Sequence, residues 1–513
     1  MIKNCFRLML CLQCAIFVNQ SAYAKKLTIR PGITIQELYS DNIGLAPGGQ
    51  EDGAFVTQLT PSVTVNARGA RNRVDAALRV ENLFFHGIKK DANTFFQGQL
   101  ESTSRLWANS FFIDLRGTHS QANTRNRGRV AIDNISQTGG RVDVSTYTIS
   151  PFWRINLGGY ARGEARLSYS EVMVNNTDNT RTGISDARVH EEKLTLSSAN
   201  RFDVWGWQLG VSNRLENRKG SNDQDVHYFN SFGELNFRLV QHFVLFARAG
   251  YADNDLGTNR LNSKNGVYYQ AGGRWRPSSG FLLSAAGGNN SFINVSTTPF
   301  QHAKWTFGFR HNKVGLNTGS QWNTRFQYSA NNYVWRTGYA VDTVTTQQVL
   351  LERDVFEGGL RNLNGSTGLT VNSSGGLTTL RNEVYERKRG EASVQGTNGK
   401  STVRLTGYTE KRNYDSARQN EDAKGANFAW RWRLDGRTST VLTADVEQID
   451  GGNLLPTTNQ KNTRWGVGAQ VKRAIMKYFT ATLGYRYSRQ EANQSASEYT
   501  ENRVFARINV LYR

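Results

Sequence analysis

From residue 25 onward the chain repeats one texture, segments of about ten residues in which every second side chain is apolar. Trp305, Phe307 and Phe309 alternate with Lys304, Thr306, Gly308 and Arg310. Phe428, Trp430, Trp432 and Leu434 alternate with Asn427, Ala429, Arg431 and Arg433, and Trp465, Val467, Ala469 and Val471 with Arg464, Gly466, Gly468, Gln470 and Lys472. A period of two sends successive side chains to opposite faces of a strand. The chain is therefore read as strands with one apolar and one polar face. After the first two dozen residues no apolar run reaches the ~20 residues that a transmembrane helix needs.

Two architectures alternate in this way, a soluble β-sandwich and a closed membrane barrel. Aromatics near strand ends (Trp205, Trp207, Trp275, Tyr485, Tyr487) match the interfacial girdles of a barrel. The polar face is too rich in arginine to be anything but wet. With only 7 Pro in 513 residues and no Pro- or Ser-rich linker, nothing divides the chain into domains. The expectation is all-β, a single large transmembrane antiparallel β-barrel over residues 25–513.

Connections alternate in length. Longer polar stretches fall at 41–53, 86–93, 122–137, 175–188, 218–225, 253–264, 290–299, 337–378, 412–423, 449–461 and 490–497, with tight joins between them, among them Ala108-Asn109, Ser278-Ser279 and 314–319. Long extracellular loops and short periplasmic turns are the rule in such barrels, which gives about 22 strands within a range of 16–24, and both ends in the periplasm. Only 337–378 lacks a clear register. It fits an outer loop, a loop folded into the lumen, or a hidden extra hairpin.

Both ends of the chain carry processing or assembly signals. Lys3, Arg7, the apolar stretch Leu8 to Val18 and Ala22-Tyr23-Ala24 form a cleavable export signal over residues 1–24. All three cysteines (Cys5, Cys11, Cys14) lie inside it, so the mature chain has no disulfide, thiolate metal site or cysteine nucleophile. At the other end Val504, Ala506, Ile508, Val510 and Tyr512 share one face of a terminal amphipathic strand that outer-membrane assembly machinery would recognise. A final Phe is replaced by Tyr512-Arg513.

The formal charge is +21. Register places its basic residues on the polar face: Arg79, Arg116, Arg162, Arg166, Arg238, Arg248, Arg274, Arg276, Lys304, Arg310, Arg325, Arg404, Arg431, Arg433, Arg464, Lys472, Arg486, Arg503 and Arg507. Carboxylates assigned to that face are fewer: Asp75, Glu81, Asp114, Glu164, Glu234, Asp445 and Glu447. Some pairing is expected, but a surplus of cations would leave a lumen that steers anions. The spread of charge along strands, in an exported chain, does not suit nucleic-acid binding.

Catalytic signals are absent. The seven histidines (His86, His119, His190, His227, His242, His302, His311) form no metal-ligand spacing, and neither HExxH nor G-x-S-x-G occurs. No enzyme activity and no cofactor are expected.

The block Ile33-Thr34-Ile35-Gln36-Glu37-Leu38-Tyr39-Ser40-Asp41-Asn42-Ile43, with Gln58-Leu59-Thr60-Pro61-Ser62-Val63 and the segment from Val74 to Val80, resembles outer-membrane barrels associated with PEP-CTERM sorting and exopolysaccharide gene clusters of Gram-negative bacteria. The specific likeness covers about the first sixty mature residues. It implies a component of exopolysaccharide or matrix export, and no catalytic residues. The partners expected are outer-membrane lipids and lipopolysaccharide, the assembly machinery, and for a monomeric conduit an anionic polysaccharide with periplasmic export components. Two other functions fit the same sequence: a plugged anchoring barrel that binds matrix or partners through its outer loops, and a general anion-preferring porin.

Overall fold

The computed structural model describes residues 24–123, 128–136, 138, 140–175, 184–199, 203–219, 225–256, 263–356, 383–414, 420–451 and 460–512. Apart from Ala24, the expected leader lies outside them.

The alternating segments form one antiparallel sheet of 24 strands. The first eight are β1 (Ala24–Ser40), β2 (Ala54–Gly69), β3 (Asn72–His86), β4 (Asn93–Trp107), β5 (Phe111–Asn123), β6 (Arg141–Asn156), β7 (Ala161–Asn175) and β8 (Ala187–Ser198). Next come β9 (Trp205–Arg218), β10 (Val226–Val240), β11 (Phe243–Asp255), β12 (Gly266–Ser278), β13 (Phe281–Gly288), β14 (Asn290–Thr297), β15 (Ala303–Asn312) and β16 (Gly319–Ser329). The last are β17 (Tyr333–Thr345), β18 (Val384–Asn398), β19 (Ser401–Tyr414), β20 (Glu421–Arg433), β21 (Thr438–Gly451), β22 (Gln460–Ala474), β23 (Phe479–Ala492) and β24 (Tyr499–Leu511). Each pairs with its sequence neighbours. Gly32–Ser40 of β1 then pairs with Arg503–Leu511 of β24, so the sheet closes on itself. Closure removes both free edges, which is what lets strands cross a membrane.

The outward face is apolar and bare of protein contacts. Leu235 and Leu483 are each 62% exposed, and Ile29, Trp205, Tyr269, Trp335 and Ile508 are exposed with them. Most strands run longer than the 9–11 residues that span a bilayer, so their outer ends stand clear of the apolar belt. Charged pairs such as Arg188–Glu171 occur on the outward face there.

Tight turns follow local chemistry. Ala108 (φ 44°) and Asn109 (φ 56°) both adopt the left-handed conformation, and the Ser110 amide donates to the Trp107 carbonyl at 3.0 Å. Two left-handed residues in succession are what a two-residue hairpin requires. Between β12 and β13 the backbones approach so closely that a Cβ on Gly272 would lie 1.9 Å from the Ala285 carbonyl oxygen.

Two strands exceed the expected 22. Asn290–Thr297, expected within an outer connection, is β14, reached from β13 through Asn289 alone. Tyr333–Thr345, expected largely as part of the connection 337–378, is β17. The join at 314–319 consequently lies on the outer side and not the periplasmic one. There, Gly315–Leu316 forms a two-residue ribbon with Ser263–Lys264 of the β11–β12 connection.

Candidate functional site

The interior wall is the polar face of the strands. Pairing register carries it around the ring: Arg79 lies opposite Ser62, Arg404 opposite Gln395, and Arg507 opposite both Thr482 and Gln36. All nineteen basic residues named from the sequence share this inward face.

They divide by partner. Nine meet a carboxylate. Arg248 and Arg274 clamp the fully buried Glu234 from two strands, at 2.6 and 2.8 Å. Arg166 bridges Asp114 and Glu164, Arg464 meets Glu447 and Arg486 meets Asp445, both at 2.8 Å. Arg79–Glu81 is looser at 4.0 Å, and Arg238 reaches the exposed Asp203 at 3.5 Å. Arg116 and Arg503 meet carboxylates from segments that fold inward, described below. The other ten (Arg162, Arg276, Lys304, Arg310, Arg325, Arg404, Arg431, Arg433, Lys472 and Arg507) have no carboxylate partner among the described residues. Arg310 bonds Gln321, Arg433 the Gly399 carbonyl, and Arg507 the amide oxygen of Gln36, all neutral.

Position follows the same division. Nine of the ten uncompensated cations, all but Arg310, lie within four residues of the strand end that carries the short turns, the end expected to face the periplasm; of the nine paired ones only Arg238 and Arg274 do. The outer and middle lumen is thus neutralised by ion pairs, and the inner mouth keeps its positive charge.

Two segments enter the lumen from the outer side. The first, 128–136, belongs to the β5–β6 connection. Ile135 packs among Leu38, Val56, Leu83, Phe85 and Phe505, apolar side chains that cap the inward faces of β1, β2, β3 and β24. Asp133 and Ser136 bond Arg503, and Asn134 donates to Glu81 at 2.7 Å. The Tyr499 hydroxyl donates to the Val130 carbonyl. Burial pushes the Asp133 carboxyl up. The charge and hydrogen bond of Arg503 outweigh it and hold the group below the ordinary aspartate value.

The second segment follows β17. Thr345 caps the helix α1 (Thr346–Glu352), its hydroxyl accepting from the Gln348 amide and donating to Glu216 of β9. Leu350 of α1 buries against Ala122, Val142, Val144 and Val172. Beyond the helix, Asp354 accepts from Arg116 at 2.9 Å and from Gln99 at 3.0 Å, and Phe356 packs on Ala77 beneath the Arg79 guanidinium. Residues 346–356 therefore leave β17 and dock on β3 to β7, far around the ring. Of the three fates open for 337–378, its first nine residues complete β17 and 346–356 fold into the lumen. Residues 357–378 lie outside the described residues.

Among the described residues a hydroxyl meets an imidazole at His119–Ser145 (2.7 Å), at His311–Ser320 (2.9 Å) and, with a carboxylate in line, at Thr57–His86. On the outward face Glu37, Thr57 and His86 line up, with Thr57 Oγ1 2.6 Å from Glu37 and 3.0 Å from His86 Nε2. The hydroxyl has one proton, and the carboxylate can only accept it, so His86 must donate to Thr57. That order makes His86 a donor to Thr57 and not the acceptor of its proton, unlike a hydroxyl nucleophile activated by a histidine base. Among the described residues no three His, Asp or Glu side chains gather as a metal-holding group.

No family model and no curated protein matches the chain. Among solved structures it is similar to the apoprotein form of the FrpB iron transporter from Neisseria meningitidis, at 9% identity and a TM-score of 0.49 over 96% of this chain and 82% of that one. It is similar also to a ferric enterobactin receptor from Pseudomonas aeruginosa, with 8% identity, a TM-score of 0.44 and coverage of 94% and 80%. The siderophore receptor PirA from Acinetobacter baumannii gives 8% identity, a TM-score of 0.42 and coverage of 95% and 81%. Likeness at this level carries nothing about cargo.

Sequence reading missed the residues that organise the lumen. Arg412, fully buried between Glu410 and Glu421, and Arg387, paired with Asp342, belong to the same inward face. Both stand near outer strand ends, where polar composition resembles that of a loop. Asp133, Ile135, Asp354 and Phe356 had no signal beyond an apolar residue inside a polar connection.

Proposed function

We propose that the protein is an outer-membrane conduit through which an anionic polymer, of the exopolysaccharide class, leaves the periplasm. One observation carries this: uncompensated positive charge is concentrated at the short-turn end of a closed interior, the end read here as periplasmic. A low-dielectric wall focuses the field of such a mouth and raises the local concentration of anions there. Entry from the periplasm suits export. The resemblance of the first sixty mature residues to exopolysaccharide-linked barrels supports the same direction.

The test is conductance of the purified barrel in a planar bilayer under a salt gradient. Anion-selective current, blocked by an acidic polysaccharide added on the periplasmic side more readily than on the outer side, is the expected outcome. Cation selectivity, or block without sidedness, would sink it.

A second reading has its own support. The inward segments 128–136 and 346–356 occupy the lumen on the β1–β7 side, and barrels of about this strand number hold plugged interiors. A plugged anchoring barrel would insert silently and bind matrix through its outer connections, which the same recording separates.

A further inference from the structure

The uncompensated cations fall into a pattern in one sector of the wall. Following the hydrogen-bond register from β20 to β1, Arg433 lies opposite Ser439, Ser439 opposite Lys472, Lys472 opposite Thr482, Thr482 opposite Arg507, and Arg507 opposite Gln36. Cations thus occupy alternate strands of a single row, with a hydroxyl between each pair and an amide at the end. Strands lie ~4.8 Å apart, so successive charges are about 10 Å apart along the wall. Arg431 stands two residues from Arg433 on the same face and adds a fourth cation.

No inward-facing carboxylate belongs to these strands at this level. Asp445 and Glu447 are the next ones toward the outer side, and both are already held by Arg486 and Arg464. The row offers its charge mainly from the exposed Arg431 and Arg433 and the half-buried Lys472, with the Ser439 hydroxyl between them, whereas Arg507, Thr482 and Gln36 are buried and Arg507 is bonded to Gln36. The aromatic ring beside it, Phe505 at 5.0 Å from the Arg507 guanidinium, is buried and presents no free face. The inward residues around the row are Val441, Thr443, Gln470, Thr480, Gly484 and Asn509.

We infer that Arg433, Lys472 and Arg507, with Ser439, Thr482 and Gln36 between and beside them, form a binding row for a linear acidic polysaccharide at the inner mouth. The regular spacing suits a chain that presents carboxylates at intervals, and the half-buried Ser439 hydroxyl suits a sugar hydroxyl. Single-stranded nucleic acid, the other long polyanion, is held through base stacking on exposed aromatic rings, and the ring at this row, Phe505, is buried. The inference rests on the conduit reading for its direction of traffic, but not for the binding itself.

The experiment measures binding to the detergent-purified barrel by calorimetry, with polygalacturonate oligomers as the acidic probe, dextran of equal length as the neutral one, and polyphosphate as a polyanion without sugar. Combined R433Q, K472Q and R507Q should weaken polygalacturonate by about tenfold or more, roughly 1.4 kcal/mol or more. A charge-matched control, R276Q, K304Q and R325Q on other strands, should weaken it less than about threefold. Dextran should not bind. K472Q alone, away from the β1–β24 seam, should show part of the loss and guards against misfolding of the triple variant. Equal losses in both triple variants would mean diffuse charge and overturn the row. Polyphosphate bound as tightly, with the same row dependence, would overturn the polysaccharide assignment. A barrel that is silent in bilayers yet binds polygalacturonate through the row would sink the conduit and leave the row standing.

Discussion

Arg503 of the last strand holds Asp133 and Glu501 at once, joining the strand that closes the ring to the segment that enters the lumen between β5 and β6. Its side chain is almost wholly buried, as is that of Glu501. Replacing it by Gln would leave two carboxylates without their cation. Removing one partner of a buried ion pair costs about 3–5 kcal/mol. R503Q should therefore lower the urea midpoint for unfolding from lipid vesicles and raise single-channel current, since 128–136 loses its tether. Unchanged current would show that this segment does not obstruct flow.

The same tether should respond to acid. Asp133 is held below its ordinary value in the folded barrel, so its contribution is complete above the unfolded aspartate pKa of ~3.9 and disappears as pH falls through the lower folded value. Current should stay constant from about pH 7 to 5 and step upward only below about pH 4. Arg503, Arg141, Glu81 and Glu501 surround this carboxyl, and the carboxylates among them also titrate. The D133N variant isolates its share: it should lack the acid step. An identical step in D133N assigns the effect elsewhere.

The segment 346–356 is held more by packing than by charge. Asp354 and Arg116 remain partly exposed, 49% and 33% by side chain, and such a pair is worth about 1 kcal/mol or less. Phe356 is 5% exposed, and truncating a buried Phe costs on the order of 3 kcal/mol. Hydrogen exchange across 346–356 should accelerate strongly in F356A and weakly in D354N. The reverse order would make the ion pair the principal anchor.

Neighbouring residues of β23 offer a test of facing. Leu483 is 62% exposed on the apolar side, and Thr482 is buried on the inner wall. An arginine toward lipid near the bilayer midplane costs about 2–4 kcal/mol. L483R should reduce the yield of folded barrel in vesicles, with T482Q, polar on the inner wall, folding far better. Equal folding of the two variants would contradict the assignment of faces.

Fold class was legible because its signal is the strand period itself, repeated until composition could not disguise it. The count fell short where that signal thins. Asn290–Thr297 is eight residues of mostly Asn, Ser and Thr with only Phe292, Ile293 and Val295 as apolar markers, and its outer turn is one residue long, so nothing announces a hairpin. Tyr333–Thr345 alternates well, but runs straight into α1 without a glycine or proline stop. The cationic face followed from register. What the cations meet did not, because the partners of Arg116 and Arg503 arrive from segments hundreds of residues away in sequence. A period of two reports which side a residue faces, and nothing about what crosses the space in front of it.

The seam between β1 and β24 has a consequence for biogenesis. Arg503 meets its β1 partner Ser40 only when Arg503–Leu511 has zipped onto Gly32–Ser40. An intermediate without that seam lacks the Arg503 contact of 128–136 and keeps only its contacts to strands such as β3 and β5, so the segment settles fully only in a closed ring. Closure of the cylinder and the seating of that segment are thereby joined through one guanidinium.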